Sequence, residues 1–232
     1  MKSKLLLLVF ALFILGCSNS VEFTEEYKNE TSGKYLYHPD EIMTVSYDGN
    51  KIFFNFKGGK IEPVVLNYNE FFIPDMYKKF RFVEHPKTKV MYLSVISKDD
   101  ETKISYDYKK LSDDYKTPSQ YLKEGNYEKA LAGYLEIKAQ DSTSSYIEEW
   151  EFNRIGYRHL RDKDYQKAID VFTLNTKLHP NSDNVYDSLA DAYLQSGDSL
   201  QAYNNYRKAL ERNPNNFRAE KYLKTYLSEE NK

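Results

Sequence analysis

The sequence predicts an α+β protein, an antiparallel β-meander curled toward a partial barrel and followed by an all-helical superhelix. Two observations carry this. Apolar residues alternate with a period of two from Gly33 to Tyr108, punctuated by turn residues, and the last half repeats itself at a spacing of 34 residues. A third pattern, an apolar run near the start, belongs to neither. Of 232 residues 41% are hydrophobic and 16% aromatic, which excludes a disordered chain and allows one or two real cores. Lys and Arg number 33 against 35 Asp and Glu, so no basic excess exists to hold a polyanion and nucleic acid is not expected as a partner. One Cys forbids an intrachain disulfide and any cysteine-rich metal site.

Lys2 and Lys4 precede an unbroken apolar run from Leu5 to Leu15. A helix needs about 20 residues to cross a bilayer, so this run is too short to span and reads as a secretory signal, residues 1–16. Ile14-Leu15-Gly16-Cys17 resembles the lipobox of bacterial lipoproteins, and the polar Ser18-Asn19-Ser20 follows. That resemblance implies cleavage before Cys17 and its acylation, palmitate included, with residues 17–32 as lipidated Cys and tether. Each buried CH₂ contributes about 0.8 kcal/mol, so several acyl chains hold a protein on a membrane. The expected location is a Gram-negative cell envelope, lipid-anchored to the outer membrane on its periplasmic or surface face.

Residues 33–108 are expected as the β-domain. Ile42 to Tyr47 and Ile52 to Phe56 flank Asp48-Gly49-Asn50, a hairpin signal because Gly accepts φ > 0 at little cost. Lys57-Gly58-Gly59 leads into a strand from Ile61 to Leu66. Further strands are expected at Glu70–Ile73, Tyr77–Glu84, Val90–Ile96 and Lys103–Tyr108. Loops this short join antiparallel neighbours, since a parallel crossover needs about a dozen residues or more. Thirteen Tyr and Phe lie between Tyr35 and Tyr92, enough either to fill a small core or to line a pocket for a lipid or glycan.

Gly33-Lys34-Tyr35, Asp48-Gly49-Asn50 and Phe80-Arg81-Phe82 resemble the meander appended to bacterial serine hydrolases of the β-lactamase type. The likeness covers residues 31–97 at most and implies an accessory domain, without the catalytic one.

After a charged linker, residues 109–117, the repeats begin. Tyr186, Leu189, Ala190, Tyr193, Ala202, Tyr206, Ala209 and Pro214 follow the tetratricopeptide spacing. Thirty-four residues earlier stand Phe152, Ile155, Gly156, His159, Ala168, Phe172, Asn175 and Pro180, where His159 and Asn175 depart from the pattern. A degraded copy is anchored by Gly125 to Ala130 and Tyr134, and an insertion near Asp141–Ser145 separates it from the next. The chain thus resembles tetratricopeptide repeat proteins over residues 118–216, in units 118–141, 149–182 and 183–216. Thr117-Pro118 starts the first helix, and Gly197-Asp198 and Asn213-Pro214 end later ones. Residues 217–230 read as a capping helix, with Phe217, Tyr222, Leu223, Tyr226 and Leu227 packed inward and Arg218 among residues facing water.

The resemblance implies a concave groove that takes a protein or peptide partner. Its expected residues are Trp150, Asn153, Tyr157 and Arg161 on one first helix and Asn184, Asp187, Asp191 and Gln195 on the next. Asn can clamp a peptide backbone, Arg161 a carboxylate, and Trp150 can anchor an apolar group. Catalytic signatures are missing: Ser-x-x-Lys, Gly-x-Ser-x-Gly and Gly-x-Gly-x-x-Gly do not occur, and His38, His85, His159 and His179 are scattered. The expectation is a non-catalytic, cofactor-free and metal-free envelope scaffold. Its rivals are a lipid- or glycan-binding β-domain and an accessory subunit of a separately encoded serine hydrolase.

Overall fold

The computed structural model describes residues 21–230. The expected signal segment, Cys17 and Ser18-Asn19-Ser20 lie outside the described residues. The described residues form two compact units, one of 21–32 with 45–106, the other of 33–44 with 107–230.

In the first unit the supposed tether is built into the fold. Thr24 caps helix α1 (Glu25–Thr31), its side chain accepting from the Tyr27 N–H at 3.2 Å, and Glu25 and Glu26 sit in the favourable first turn. Phe23 is buried and stacks on Tyr27 at 5.5 Å, while its N–H is given to the Asn50 side chain at 2.7 Å. Tethers are expected to be polar, and the Phe23-Tyr27 pair makes this one adhesive.

Strand β1 (Gly33–His38) belongs to the second unit, and β2 (Glu41–Asp48) runs from the second unit into the first. β3 (Lys51–Phe56) follows the Gly49 turn, and β4 (Gly59–Ile61) pairs antiparallel with it across Lys57-Gly58, both at positive φ. β5 (Val64–Asn67), β6 (Glu70–Ile73), β7 (Lys78–Glu84) and β8 (Met91–Ile96) form a second antiparallel succession. The single strand expected from Ile61 to Leu66 is divided at Glu62-Pro63, because Pro has no N–H to give a ladder. Of Lys103–Tyr108 only the end is strand, in β9 (Tyr108–Lys109). Phe54, Phe71 and Phe80 are fully buried, with Phe71 edge-on to Phe82 at 5.5 Å. These rings are core rather than pocket lining.

The second unit opens on β1, whose Lys34 carbonyl accepts the Leu111 N–H at 2.8 Å. The Lys34 ammonium donates to the carbonyls of Asp113 and Tyr115. Residues expected as a charged linker are therefore pinned to β1, and residues 33–44 cluster with the helices rather than with the rest of the meander. β1 stays the sheet neighbour of β2, as a meander requires, and Tyr35 bridges to Lys110 as well.

The helices are α2 (Pro118–Lys123), α3 (Tyr127–Gln140), α4 (Glu149–Arg161), α5 (Tyr165–Leu178), α6 (Asp183–Ser196), α7 (Ser199–Arg212) and α8 (Phe217–Glu230). A capping box of Thr117 and Gln120, with Pro118 at the first turn, starts α2. α4–α5 and α6–α7 are full hairpins, whereas α2 stops after six residues. The insertion before α4 contributes Ile147 to a core with Tyr134, Phe152, Val171 and Leu178. Further along, Leu160, Ala168, Phe172 and Leu189 join α4, α5 and α6, and Ala190, Tyr206, Ala209 and Ala219 join α6, α7 and α8. The small residues matter: a Cβ on Gly156 would stand 2.4 Å from the Phe172 ring.

The cap buries the middle of the expected face and leaves its ends, Phe217 and Leu227, exposed. Ala219 is fully buried and Tyr222 and Leu223 pack beside it, while Phe217 is 78% exposed. Ala219 makes the inward contact with a small side chain rather than a large apolar one.

Candidate functional site: the wall of first helices

α4, α6 and α8 are the first helices of successive copies, and their side chains meet in one wall. The Tyr157 hydroxyl donates to Ser188 Oγ at 3.2 Å, joining α4 to α6. From α8, Arg218 gives Nε to Asp187 Oδ1 at 3.1 Å and Nη2 to the other carboxylate oxygen. It also reaches the Tyr157 oxygen at 3.4 Å and lies 3.6 Å from Asp191. Burial works against the Arg218 charge, but the bonds to Asp187 and Tyr157 outweigh it and hold its pKa above that of a free guanidinium.

Three of the eight residues expected to meet a partner, Tyr157, Asp187 and Asp191, are thus gathered by the chain's own Arg218. Asp187 is only 7% exposed. Asn153 Oδ1 accepts from Asn175 Nδ2 at 3.1 Å, and Asn175 also gives that amide to the Glu149 carbonyl, so Asn153 braces the α4–α5 hairpin. Asn184 donates to Glu149 at 2.7 Å and Gln195 to Asp191 at 3.2 Å. Trp150 is exposed and its indole N–H is engaged by Glu148. Arg161 is exposed at the end of α4, without a hydrogen bond or ion pair among the described residues.

Arg218, expected to face water, is the residue the sequence reading missed. A signal for it existed. Positions 150, 184 and 218 are each 34 apart, so Arg218 continues the row of Trp150 and Asn184 into a fourth first helix. Two carboxylates at Asp187 and Asp191, one turn apart, call for such a cation.

At the other end the wall opens. Between α2, α3, α4 and α5 there is a cavity of about 670 Å³, lined by Leu122 and Ile155 and backed by the buried Tyr134, Phe152 and Val171. Lys123, Arg158, His159 and Lys167 stand among its lining residues. The nearby carboxylates are satisfied elsewhere. Lys116 holds Glu124 at 2.6 Å, and Arg154 donates Nε and Nη2 to the two Glu151 oxygens, which keeps the Glu151 carboxyl below its usual range. Asp40 accepts the Ser119 N–H at 2.9 Å. Burial raises the Asp40 carboxyl above its usual value, although hydroxyls of Thr117, Ser119 and Tyr134 partly offset this. Among the described residues no group of three His, Cys, Asp or Glu is placed to hold a metal ion. Among them, too, no helix is long and apolar enough to cross a membrane.

Hairpins of this length, nested through small residues and repeated at 34, define a helical-repeat unit. Residues 183–216, the α6–α7 hairpin with its closing turn, match the tetratricopeptide repeat family model. Solved structures with similar chains include the first tetratricopeptide domain of Spaghetti (RPAP3) bound to the HSP90 peptide SRMEEVD. It is 21% identical, with 50% of this chain and 88% of that one covered and a TM-score of 0.35. MamA is 21% identical over 46% of this chain and 60% of its own, at 0.32. The Yersinia enterocolitica type III secretion translocator chaperone SycD is 17% identical over 49% and 88%, at 0.35.

Proposed function

We propose that this chain is a non-catalytic lipoprotein of a Gram-negative cell envelope, acylated at Cys17 and held on the outer membrane. Its helical unit binds a protein or peptide partner, as a scaffold or assembly adaptor. Support for the anchor comes from the basic start, the short apolar run and Gly16-Cys17. Support for recognition comes from the repeat architecture and from one observation above the others: the first-helix wall is closed at α6 by Arg218 yet open at the apolar cavity beside α4. The partner therefore docks at the α2–α4 end, and Lys123 and Arg158 replace Asp187 and Asp191 as contacts.

Photo-crosslinking from a reactive residue installed at Lys123 or Arg158 in the membrane-bound protein tests this. Both positions should capture the same protein, and Arg207 on α7 should not. Capture from Arg207 alone would move the site away from the wall. Metabolic labelling with an alkyne fatty acid should mark the wild-type chain and spare Cys17→Ser.

A further inference from the structure

The cavity beside α4 has a chemistry of its own, and the inference drawn from it rests on the peptide-binding reading above. Its floor is apolar, formed by Leu122, Phe152, Ile155 and Val171. Its charge is one-sided. Each lining carboxylate already has a partner: Glu124 takes Lys116, Glu151 takes Arg154, and Asp40 takes the start of α2. Lys167 pairs with Asp164 at 3.1 Å, and His159 lies 3.8 Å from the same carboxylate. Lys123 and Arg158 are different, for neither makes a hydrogen bond or an ion pair among the described residues. Arg158 acts on Glu151 only through space, helping to lower that carboxyl.

We propose that the cavity receives a bulky apolar side chain of a partner's polypeptide, with an acidic residue beside it in that chain meeting Lys123 and Arg158. The volume suits one large aliphatic or aromatic side chain together with its backbone. Two cations in the lining of this cavity, with no ion pair among the described residues, favour a carboxylate neighbour and repel a basic one. The partner chemistry is therefore an acidic–apolar segment rather than a basic amphipathic one.

Three blocked, fluorescently labelled hexapeptides test this with the full chain lacking only its signal segment: one with Leu-Trp flanked by Glu, one with the same pair flanked by Lys, and one with Ala-Ala flanked by Glu. Anisotropy should show saturable binding of the first, at least about tenfold tighter than either other, and weakening with salt. Arg158→Glu and Lys123→Glu should each cut it by about tenfold or more, and the milder Arg158→Gln by less, with circular dichroism unchanged. Equal or tighter binding of the Lys-flanked peptide overturns the acidic preference and leaves the array a peptide reader. Binding by none of the three overturns the proposal. Crosslinking from Lys123 then decides separately whether the array holds a protein at all.

Discussion

Arg218 closes a two-point grip on Asp187, donating Nε to one carboxylate oxygen at 3.1 Å and Nη2 to the other. The cap thereby becomes part of the wall it covers. Asp187 is 90% buried as a side chain, and Arg218 only about half, so breaking the pair costs mostly through the carboxylate left behind.

Arg218→Met should lower stability by about 1–3 kcal/mol, below the value for a fully buried pair because about half of the Arg218 side chain is in water. Asp187→Asn in the same background should restore part of the loss. Urea midpoints of the four proteins of this cycle give the coupling. Additive effects would show that the pair contributes nothing of its own.

Lys163 lies at φ 61°, the left-handed conformation that Gly125 and Gly197 take in the neighbouring hairpins at φ 78° and 91°. A side chain there carries roughly 1 kcal/mol of strain, which glycine relieves at some cost in unfolded-chain entropy. Lys163→Gly should raise the thermal midpoint slightly, and Gly197→Lys should lower it. A fall for Lys163→Gly would mean that the lysine side chain contributes more than its backbone costs.

Gly156→Ala places a methyl 2.4 Å from a Phe172 ring that is itself wholly buried and unable to withdraw. Better helix propensity returns up to about 1 kcal/mol, but overpacking costs about 1–3. A net loss of stability should appear in denaturant melts, and Phe172→Leu should soften it by emptying the contested space.

Asp40 carries a carboxyl raised above 3.8 by burial. A raised value means that the fold holds this proton better than the unfolded chain does. The contribution is fully present below the unfolded value and disappears as pH rises through the folded one. The stability of the wild type minus that of Asp40→Asn should therefore grow as pH falls from 7 towards 4. Asn keeps an acceptor for the Ser119 N–H, so the comparison isolates the charge. A flat or declining difference would contradict the assignment.

Much of the architecture was legible in the residues. Asp48-Gly49-Asn50 marked a turn and became one, and Tyr206, Ala202 and Ala209 lie buried where the repeat spacing put them. What escaped had local reasons. Pro63 divides a strand whose apolar run looked continuous. Phe23 and Tyr27 fold a short polar-looking segment into the β unit because rings stack regardless of the charges between them. Asp187, Asp191 and Tyr157 share one stripe, as their spacing suggested, and Arg218 of the same chain meets all three.

The sequence by itself determined the period of each segment, the turns that end it, and hence the order of strands followed by helical hairpins. Those features depend on residues a few positions apart. Only the tertiary structure decided that residues 33–44 side with the helices, that Arg218 fills one end of the wall, and that a six-residue α2 leaves a cavity at the other. Such outcomes turn on which distant groups satisfy each other's charge, hydrogen bonds and volume, and spacing along a chain does not carry that information.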